Sequence, residues 1–183
     1  MAELWDILDA KGNKTGRLHE RGKPLADNDY FLTVQIWILN RNNEFLLAKR
    51  TPERNGKWHT PGGCVIAGED SLTCALREAK EEIGIDLDPE CAQLYKRITL
   101  QGTDYDGYLF ADVWLFRQDV DISDTVLQPE EVSDVMWADK GQIEQMLVES
   151  TFAMPADWYP YLNDEFLDYV INQNNYTSEG VGK

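Results

Sequence analysis

The chain of 183 residues carries 33 acidic and only 17 basic side chains, a formal net charge of −16. Without a basic excess to neutralise phosphates, it is not expected to bind nucleic acid independently of sequence, nor to bind an anionic membrane surface. The length fits a single domain over residues 1–183 with a terminal extension, and it leaves no room for two domains of ordinary size.

The cysteines and the N-terminal sequence predict the cellular compartment of the protein. Cys64, Cys74 and Cys91 are odd in number and have no metal or disulfide spacing, so we expect small core residues in a reducing environment. The first residues show no basic segment followed by an apolar run, and no stretch approaches the roughly 18 apolar residues of a membrane span. These features predict a cytoplasmic protein.

The N-terminal part predicts a short strand followed by a hairpin. The sequence ELWDILD at 3–9 favours a strand, KGN a turn, and a polar segment then continues to about Asp29. Residues 30–40 are rich in β-branched and aromatic side chains, RNNE is typical of a turn, and EFLLAKR favours a second strand. The two strands are therefore predicted to pair, and a polar loop, Thr51–Lys57, follows them.

A central helix is predicted after a pair of glycines. Asp70 or Ser71 can cap its N-terminus, and the helix is expected to run to Ile83 and to end at Gly84. Apolar residues at helical spacing form one continuous stripe: Leu72, Ala75, Leu76, Ala79 and Ile83.

The same helix carries three clustered acids. Glu78, Glu81 and Glu82 fall at positions i, i+3 and i+4, so their carboxylates project from one side. Adjacent anions repel one another unless a cation lies among them. Carboxylates without histidine or thiolate neighbours are hard oxygen ligands, which suit Mg²⁺ or Mn²⁺ better than zinc.

The C-terminal half predicts three strands and two helices. AQLYKRITLQG and GYLFADVWLF favour two strands joined by a turn at DYDG, and VSDVMWAD favours a third. KGQIEQMLVES is typical of a short amphipathic helix, and a longer helix is predicted over about 156–174. TSEGVGK at the end is expected to be frayed. Together the elements predict an α/β fold with a mixed sheet between helices.

Glycine, glutamate and arginine recur at a fixed spacing from residue 63 to residue 85. Five residues separate Gly63 from Glu69, seven more precede Arg77 and Glu78, and the run ends AKEEIGI. This stretch resembles a complete Nudix box, the signature of the Nudix hydrolase superfamily. The resemblance implies a Nudix-type α/β/α sandwich with a mixed β-sheet. It also implies a metal-dependent hydrolase that cleaves a diphosphate linkage in a nucleoside diphosphate derivative or another small organic diphosphate.

The resemblance further implies roles for residues of the box. Glu81 and Glu82 match direct ligands of Mg²⁺ or Mn²⁺, and Glu78 matches a further ligand or the general base. The carbonyl of Gly62 or Gly63 is a candidate additional ligand.

Arg77 and Glu69 match a pair that braces the loop against the helix, with Arg77 orienting the catalytic acids. The implied catalytic set is Arg77, Glu78, Glu81 and Glu82.

A basic loop precedes the box. Arg50, Arg54 and Lys57, together with Lys49, are candidates for holding substrate phosphate, although a basic loop in an acidic protein can equally form salt bridges. The expected partner is a small-molecule diphosphate, and the sequence leaves the oligomeric state open.

Other candidates have simpler interpretations. Glu130 and Glu131 lie where many family members bring a further acid towards the metal, but a capping or solvated role is favoured for each. Trp158 and Tyr159 could stack on a base, and core packing is favoured. The two histidines are expected to be structural.

The N-terminal sequence LWDILDAKGNKTG is similar to the isopentenyl-diphosphate isomerase branch of the superfamily. An isomerase needs a cysteine and a glutamate as an acid pair beside a histidine-rich metal site. The positions equivalent to its histidines, cysteine and strand glutamates hold Pro24 and Phe31, Gly62 or Gly63, and Phe110 and Asp112. Isomerase activity is therefore disfavoured, although the ancestry can be shared.

A second alternative is a diphosphate-binding module that kept the fold without catalysis. Such a module is expected to have lost one or more glutamates of the box, and here Glu78, Glu81 and Glu82 are all present. The sequence therefore favours an enzyme over a non-catalytic module.

Overall fold

The protein is described by a computed structural model that covers residues 2–102, 107–153 and 158–173. One eight-stranded sheet forms its centre. The strands are β1 Leu4–Leu8, β2 Lys14–Glu20, β3 Tyr30–Leu39, β4 Phe45–Arg50, β5 Trp58–His59, β6 Ala92–Gly102, β7 Gly107–Arg117 and β8 Val132–Ala138. The α-helices are α1 Ser71–Ile83, α2 Lys140–Val148 and α3 Asp164–Asn172. Within the described ranges, no helix has the length and apolar character needed to cross a membrane.

The sheet is mixed because one central pair of strands is parallel. β3 runs parallel to β7 along its whole length, whereas β1–β2, β1–β3, β3–β4, β4–β8 and β6–β7 are antiparallel. β3 and β4 pair at Leu39 and Phe45, next to the turn that joins them. Beyond that point β3 is flanked by β7 and β4 by β8, so the chain that follows β4 can enter between them.

The two faces of the sheet are covered by different helices. Val34, Ile36 and Ile38 of β3 pack in one cluster with α1. Trp37 and Leu39 pack in a second cluster with residues of α2 and α3. Alternate residues of a strand point to opposite faces, so the sheet lies between α1 on one side and α2 and α3 on the other. The predicted α/β sandwich with a mixed sheet is confirmed.

Helix α1 has the bounds that its sequence predicts. The Asp70 side chain accepts a hydrogen bond from the Thr73 backbone N–H at 2.8 Å, and Gly84 ends the helix with a φ of 75°. A Cβ at Gly84 would lie 2.6 Å from the backbone nitrogen of Val126, so a side chain does not fit there. Three members of the predicted stripe, Ala75, Ala79 and Ile83, are fully buried.

Two elements differ from expectation. The predicted polar segment before Asp29 contains β2, an edge strand without buried residues, whose sequence lacks the alternation that identifies a half-buried strand. The predicted helix over 156–174 is shorter, because Pro160 disfavours a helical conformation at the preceding residue and Asn163 is extended and caps α3. The predicted DYDG turn lies largely, and the TSEGVGK tail wholly, outside the described residues.

Candidate active site

A cavity of about 520 Å³ opens where β3 and β4 diverge. The segment after β4 crosses this gap. It pairs with β4 at Trp58 and His59. It then pairs with β3, whose Ile36 and Val34 N–H groups donate to the carbonyls of Pro61 and Gly63, each at 2.9 Å. The start of the box is thereby fixed in the middle of the molecule, at the cavity wall.

Two glycines let this segment pass close to β3 and α1. A Cβ at Gly62 would lie 2.2 Å from the Val34 carbonyl oxygen, and a Cβ at Gly63 would lie 2.3 Å from Cδ of Glu78. A side chain at either position would displace the strand or the Glu78 carboxylate. The close approach allows the Gly62 N–H to donate to Oε2 of Glu82 at 3.2 Å.

Arg77 connects the box loop to the acids of α1. Its Nε and Nη2 donate to the two oxygens of Glu69, each at 3.0 Å, and Nη2 also donates to the Cys64 carbonyl at 3.1 Å. Its Nη1 donates to Oε1 of Glu78 at 2.7 Å and to Oε2 of Glu81 at 2.9 Å. The geometry is that of the expected brace between loop and helix.

The three acids of α1 have unequal surroundings. The side chain of Glu81 is 54% exposed, whereas Glu78 is 15% exposed and Glu82 is buried. Burial raises the pKa of Glu82 well above its usual range, and the negative charges of Glu78 and Glu131 raise it further. Burial also raises the pKa of Glu78. Glu78 and Glu82, but not Glu81, line the cavity.

The donor chemistry of the cavity fits a hard divalent cation. Glu78 and Glu82 offer carboxylate oxygens, and in the described part of the chain Glu82 makes no ion pair that would neutralise it. Over the same ranges, no three acids, histidines or cysteines converge as a ready metal site. Glu81 is bound to Arg77, so the predicted three-carboxylate cluster is divided between the cavity and this arginine.

The basic loop contributes two arginines to the cavity wall. Arg50 and Arg54 line it, and Arg54 binds both oxygens of Glu131, at 2.8 and 2.9 Å. The expectation of a capping or solvated Glu131 is wrong, because a residue 77 positions away in sequence holds it at the cavity. Glu130 is exposed. Lys57 does not line the cavity, and its contact with substrate stays a prediction.

The remaining wall is mostly neutral. His59 is buried, and its Nδ1 lies 2.7 Å from the Thr60 carbonyl, which can only accept, so Nδ1 carries the proton. Burial, and next the charge of Arg50, lower the pKa of His59 to about 3, so the ring is neutral. Trp158 and Tyr159 both line the cavity. Tyr159 also packs edge-on against Phe152, with 5.2 Å between ring centroids, so it belongs to the core and to the cavity wall.

The sequence analysis missed one part of the cavity wall. Glu3 and Arg21 line the cavity there, together with Thr33 and Gln35 of β3. No motif includes Glu3 or Arg21, and only the pairing of β1 with β2 brings them together. A prediction of β2 as a strand paired with β1 would have placed Glu3 and Arg21 next to each other.

Comparisons with known proteins agree with this fold. Residues 29–160 match the NUDIX domain family. An uncharacterized Nudix hydrolase of Listeria monocytogenes is 31% identical over 180 residues, which are 96% of this chain and 98% of that protein.

Two solved structures show the same architecture. A protein of Deinococcus radiodurans superimposes with a TM-score of 0.62 at 18% identity, covering 82% of this chain and 92% of that one. A MutT protein of Methanosarcina mazei superimposes with a TM-score of 0.56 at 25% identity, covering 85% and 98%. The match over most of the sequence and the close relative together show that the chain belongs to the Nudix hydrolase family.

Proposed function

We propose that the protein is a pyrophosphohydrolase that uses Mg²⁺ or Mn²⁺ to cleave a nucleoside diphosphate derivative or another small organic diphosphate, with residues 1–183 acting as one domain. The observation that carries this proposal is the meeting of two acids, the partly buried Glu78 and the buried Glu82, with two arginines, Arg50 and Arg54, around one cavity. Acids suit a cation and arginines suit phosphate, so the combination suits a diphosphate bound with its metal.

Glu78 and Glu82 would hold the cation, with the Gly62 carbonyl as a backbone ligand. Glu81 joins them only if its carboxylate turns away from Arg77. A bound divalent cation would neutralise phosphate oxygens and promote deprotonation of the attacking water.

The protein's own groups then orient the reactants. Arg50 and Arg54 bind non-bridging phosphate oxygens, and the substrate competes with Glu131 for Arg54. Arg77 holds Oε1 of Glu78, which leaves Oε2 as the oxygen that either binds the cation or accepts the proton of water. The water oxygen bonds to one phosphorus while the anhydride P–O bond breaks, and the bridging oxygen leaves with the electron pair on the other product.

An isomerase is disfavoured by the residues at the positions of its metal-site histidines and of its strand glutamates. Phe31 is fully buried and stacks on Trp5 with 4.6 Å between ring centroids. Asp112 is buried and bound at both oxygens by Arg97, at 2.6 and 2.8 Å. Neither residue faces the cavity, so shared ancestry with that branch would not bring isomerase chemistry.

The test is a reaction in ¹⁸O-labelled water. The purified protein, saturated with Mg²⁺, is incubated with nucleotides, nucleotide sugars, dinucleoside polyphosphates and prenyl diphosphates. Hydrolysis places ¹⁸O in one phosphate-containing product. Conversion of isopentenyl diphosphate without label would identify an isomerase. Tight binding of a diphosphate with no member of the panel cleaved would identify a binding module.

A further inference from the structure

The N-terminal hairpin forms part of the cavity, although it precedes the residues that match the family. It is fixed to the box loop: the Leu4 carbonyl accepts from Ala67 N–H at 2.7 Å, and the Asp6 carboxylate accepts from Gly68 N–H at 2.9 Å. Trp5, between these two residues, is fully buried. Two hydrogen bonds therefore join the hairpin to the box loop.

Glu3 and Arg21 are the residues of this hairpin region that reach the cavity. The Glu3 carboxylate accepts from the Trp5 indole at 2.7 Å through Oε1 and from Arg21 Nη1 at 2.8 Å through Oε2. The Arg21 backbone N–H also donates to the Glu3 carbonyl at 2.9 Å. A buried indole and a backbone bond thus orient this pair before any ligand arrives.

The pair and Arg50 lie at different ends of the segment that crosses the cavity wall. This segment pairs with β4, which ends at Arg50, through Trp58 and His59, and it reaches the hairpin at Ala67, whose N–H donates to the Leu4 carbonyl. The pair lines the cavity together with Cys64, Glu78 and Glu82. Since Arg50 and Arg54 serve the phosphates, Glu3 and Arg21 face the part of the substrate that follows the diphosphate.

The chemistry of the pair selects among possible substrates. A carboxylate accepts hydrogen bonds and a guanidinium donates them, and their charges cancel. Such a pair suits a neutral group that both donates and accepts, which describes the hydroxyls of a sugar, and it offers little to an apolar prenyl chain. An added anion is disfavoured beside Glu78 and Glu82.

We propose that Glu3 and Arg21 form a specificity subsite for a polyhydroxyl group attached to the diphosphate. The inference rests on the proposed function for the placement of the phosphates. It assigns to the hairpin a part in substrate selection, and it narrows the substrate to a diphosphate ester of a sugar.

The experiment compares ADP-ribose with isopentenyl diphosphate, which has a diphosphate but no hydroxyl group. Binding of each is measured by titration calorimetry with Ca²⁺, and ADP-ribose turnover is measured with Mg²⁺. The variants are Arg21→Ala, Arg21→Lys and Glu3→Gln. The matched control is Arg17→Ala. Arg17 belongs to the same hairpin and binds Asp29, but its guanidinium does not line the cavity.

We expect Arg21→Ala to weaken ADP-ribose binding and to raise its KM by about tenfold, with kcat nearly constant, because hydroxyl recognition is lost. Binding of isopentenyl diphosphate should change by less than about twofold. Glu3→Gln should also weaken ADP-ribose binding, and Arg21→Lys should restore part of the affinity that Arg21→Ala loses. Arg17→Ala should change the binding of neither ligand. Melting temperatures of all variants identify any loss of folding.

Other results separate the two proposals. If Arg21→Ala weakens both ligands equally or neither, or if the wild type does not bind ADP-ribose, the subsite is overturned whatever the protein hydrolyses. If ADP-ribose binds in an Arg21-dependent manner and no diphosphate is cleaved, the hydrolase proposal fails while the subsite stands.

Discussion

Two buried carboxylates in this protein have opposite surroundings. Asp112 in β7 is bound at both oxygens by Arg97, and its side chain is 1% exposed. Glu82 in α1 is also buried, but it accepts one 3.2 Å hydrogen bond from Gly62 and lies at the wall of a cavity. Asp112 has its own arginine within the fold, whereas Glu82 forms no ion pair among the described residues. Under the proposed function, a bound cation would balance the charge of Glu82.

The difference follows from where each acid lies in the fold. Arg97 and Asp112 are directly opposite in the β6–β7 ladder, so strand register makes the pair. Glu82 faces the segment around Gly62, which contributes backbone groups instead of a cationic side chain. The arginine nearest to it in sequence, Arg77, is engaged by Glu69, Glu78 and Glu81.

The largest expected effect comes from removing the charge of Glu82. Glu82→Gln should lower turnover by several orders of magnitude and weaken Mg²⁺ binding while the fold survives, because the side chain keeps its size. Glu81→Gln tests whether the exposed acid also joins the site. Titration calorimetry with Mg²⁺ and steady-state kinetics measure both variants, with Glu90→Gln in an exposed turn as the control. Unchanged Mg²⁺ affinity in both would overturn the assignment of the metal ligands.

A smaller effect, on stability instead of catalysis, is expected from removing the arginine that binds Asp112. Arg97→Ala should lower the free energy of unfolding by about 3 kcal/mol, because it leaves a buried charge without its partner. Urea unfolding measures this value. The double variant Arg97→Met with Asp112→Leu should recover most of the loss. If Arg97→Ala leaves the free energy of unfolding unchanged, Arg97 does not stabilise the buried charge of Asp112. The contrast with Glu82 then disappears.

The sequence predicts elements that are specified locally and misses contacts made by distant residues. The bounds of α1 follow from Asp70 and Gly84, and the box identifies the acids with no knowledge of the sheet. The bond between Arg54 and Glu131 requires β4 to pair with β8, and no local pattern contains that information. The same holds for Glu3 and Arg21, whose meeting depends on β2, a strand without an apolar face.

The smallest effect concerns the metal-free protein and its dependence on pH. The pKa of Glu82 is raised in the folded protein above its ordinary value of 4.5. At pH values above about 4.5 and below the raised pKa, Glu82 binds a proton in the folded state and loses it in the unfolded state. This residue therefore makes the free energy of unfolding fall as the pH rises above about 4.5. Glutamine does not titrate. In the presence of EDTA, Glu82→Gln should therefore be more stable than the wild type at pH 7.5 and nearly equal to it at pH 4.

Thermal unfolding at the two pH values measures this difference, and Asp112→Asn supplies the contrast. That change should destabilise the protein at pH 7.5, because Arg97 loses the charge that it binds. Saturating Mg²⁺ should raise the melting temperature of the wild type and leave that of Glu82→Gln nearly unchanged, since a ligand stabilises only the state that binds it. A metal-free Glu82→Gln that is less stable than the wild type at pH 7.5 would mean that Glu82 already has its counter-charge within the fold. The two buried acids would then be alike, and the metal would have to bind elsewhere.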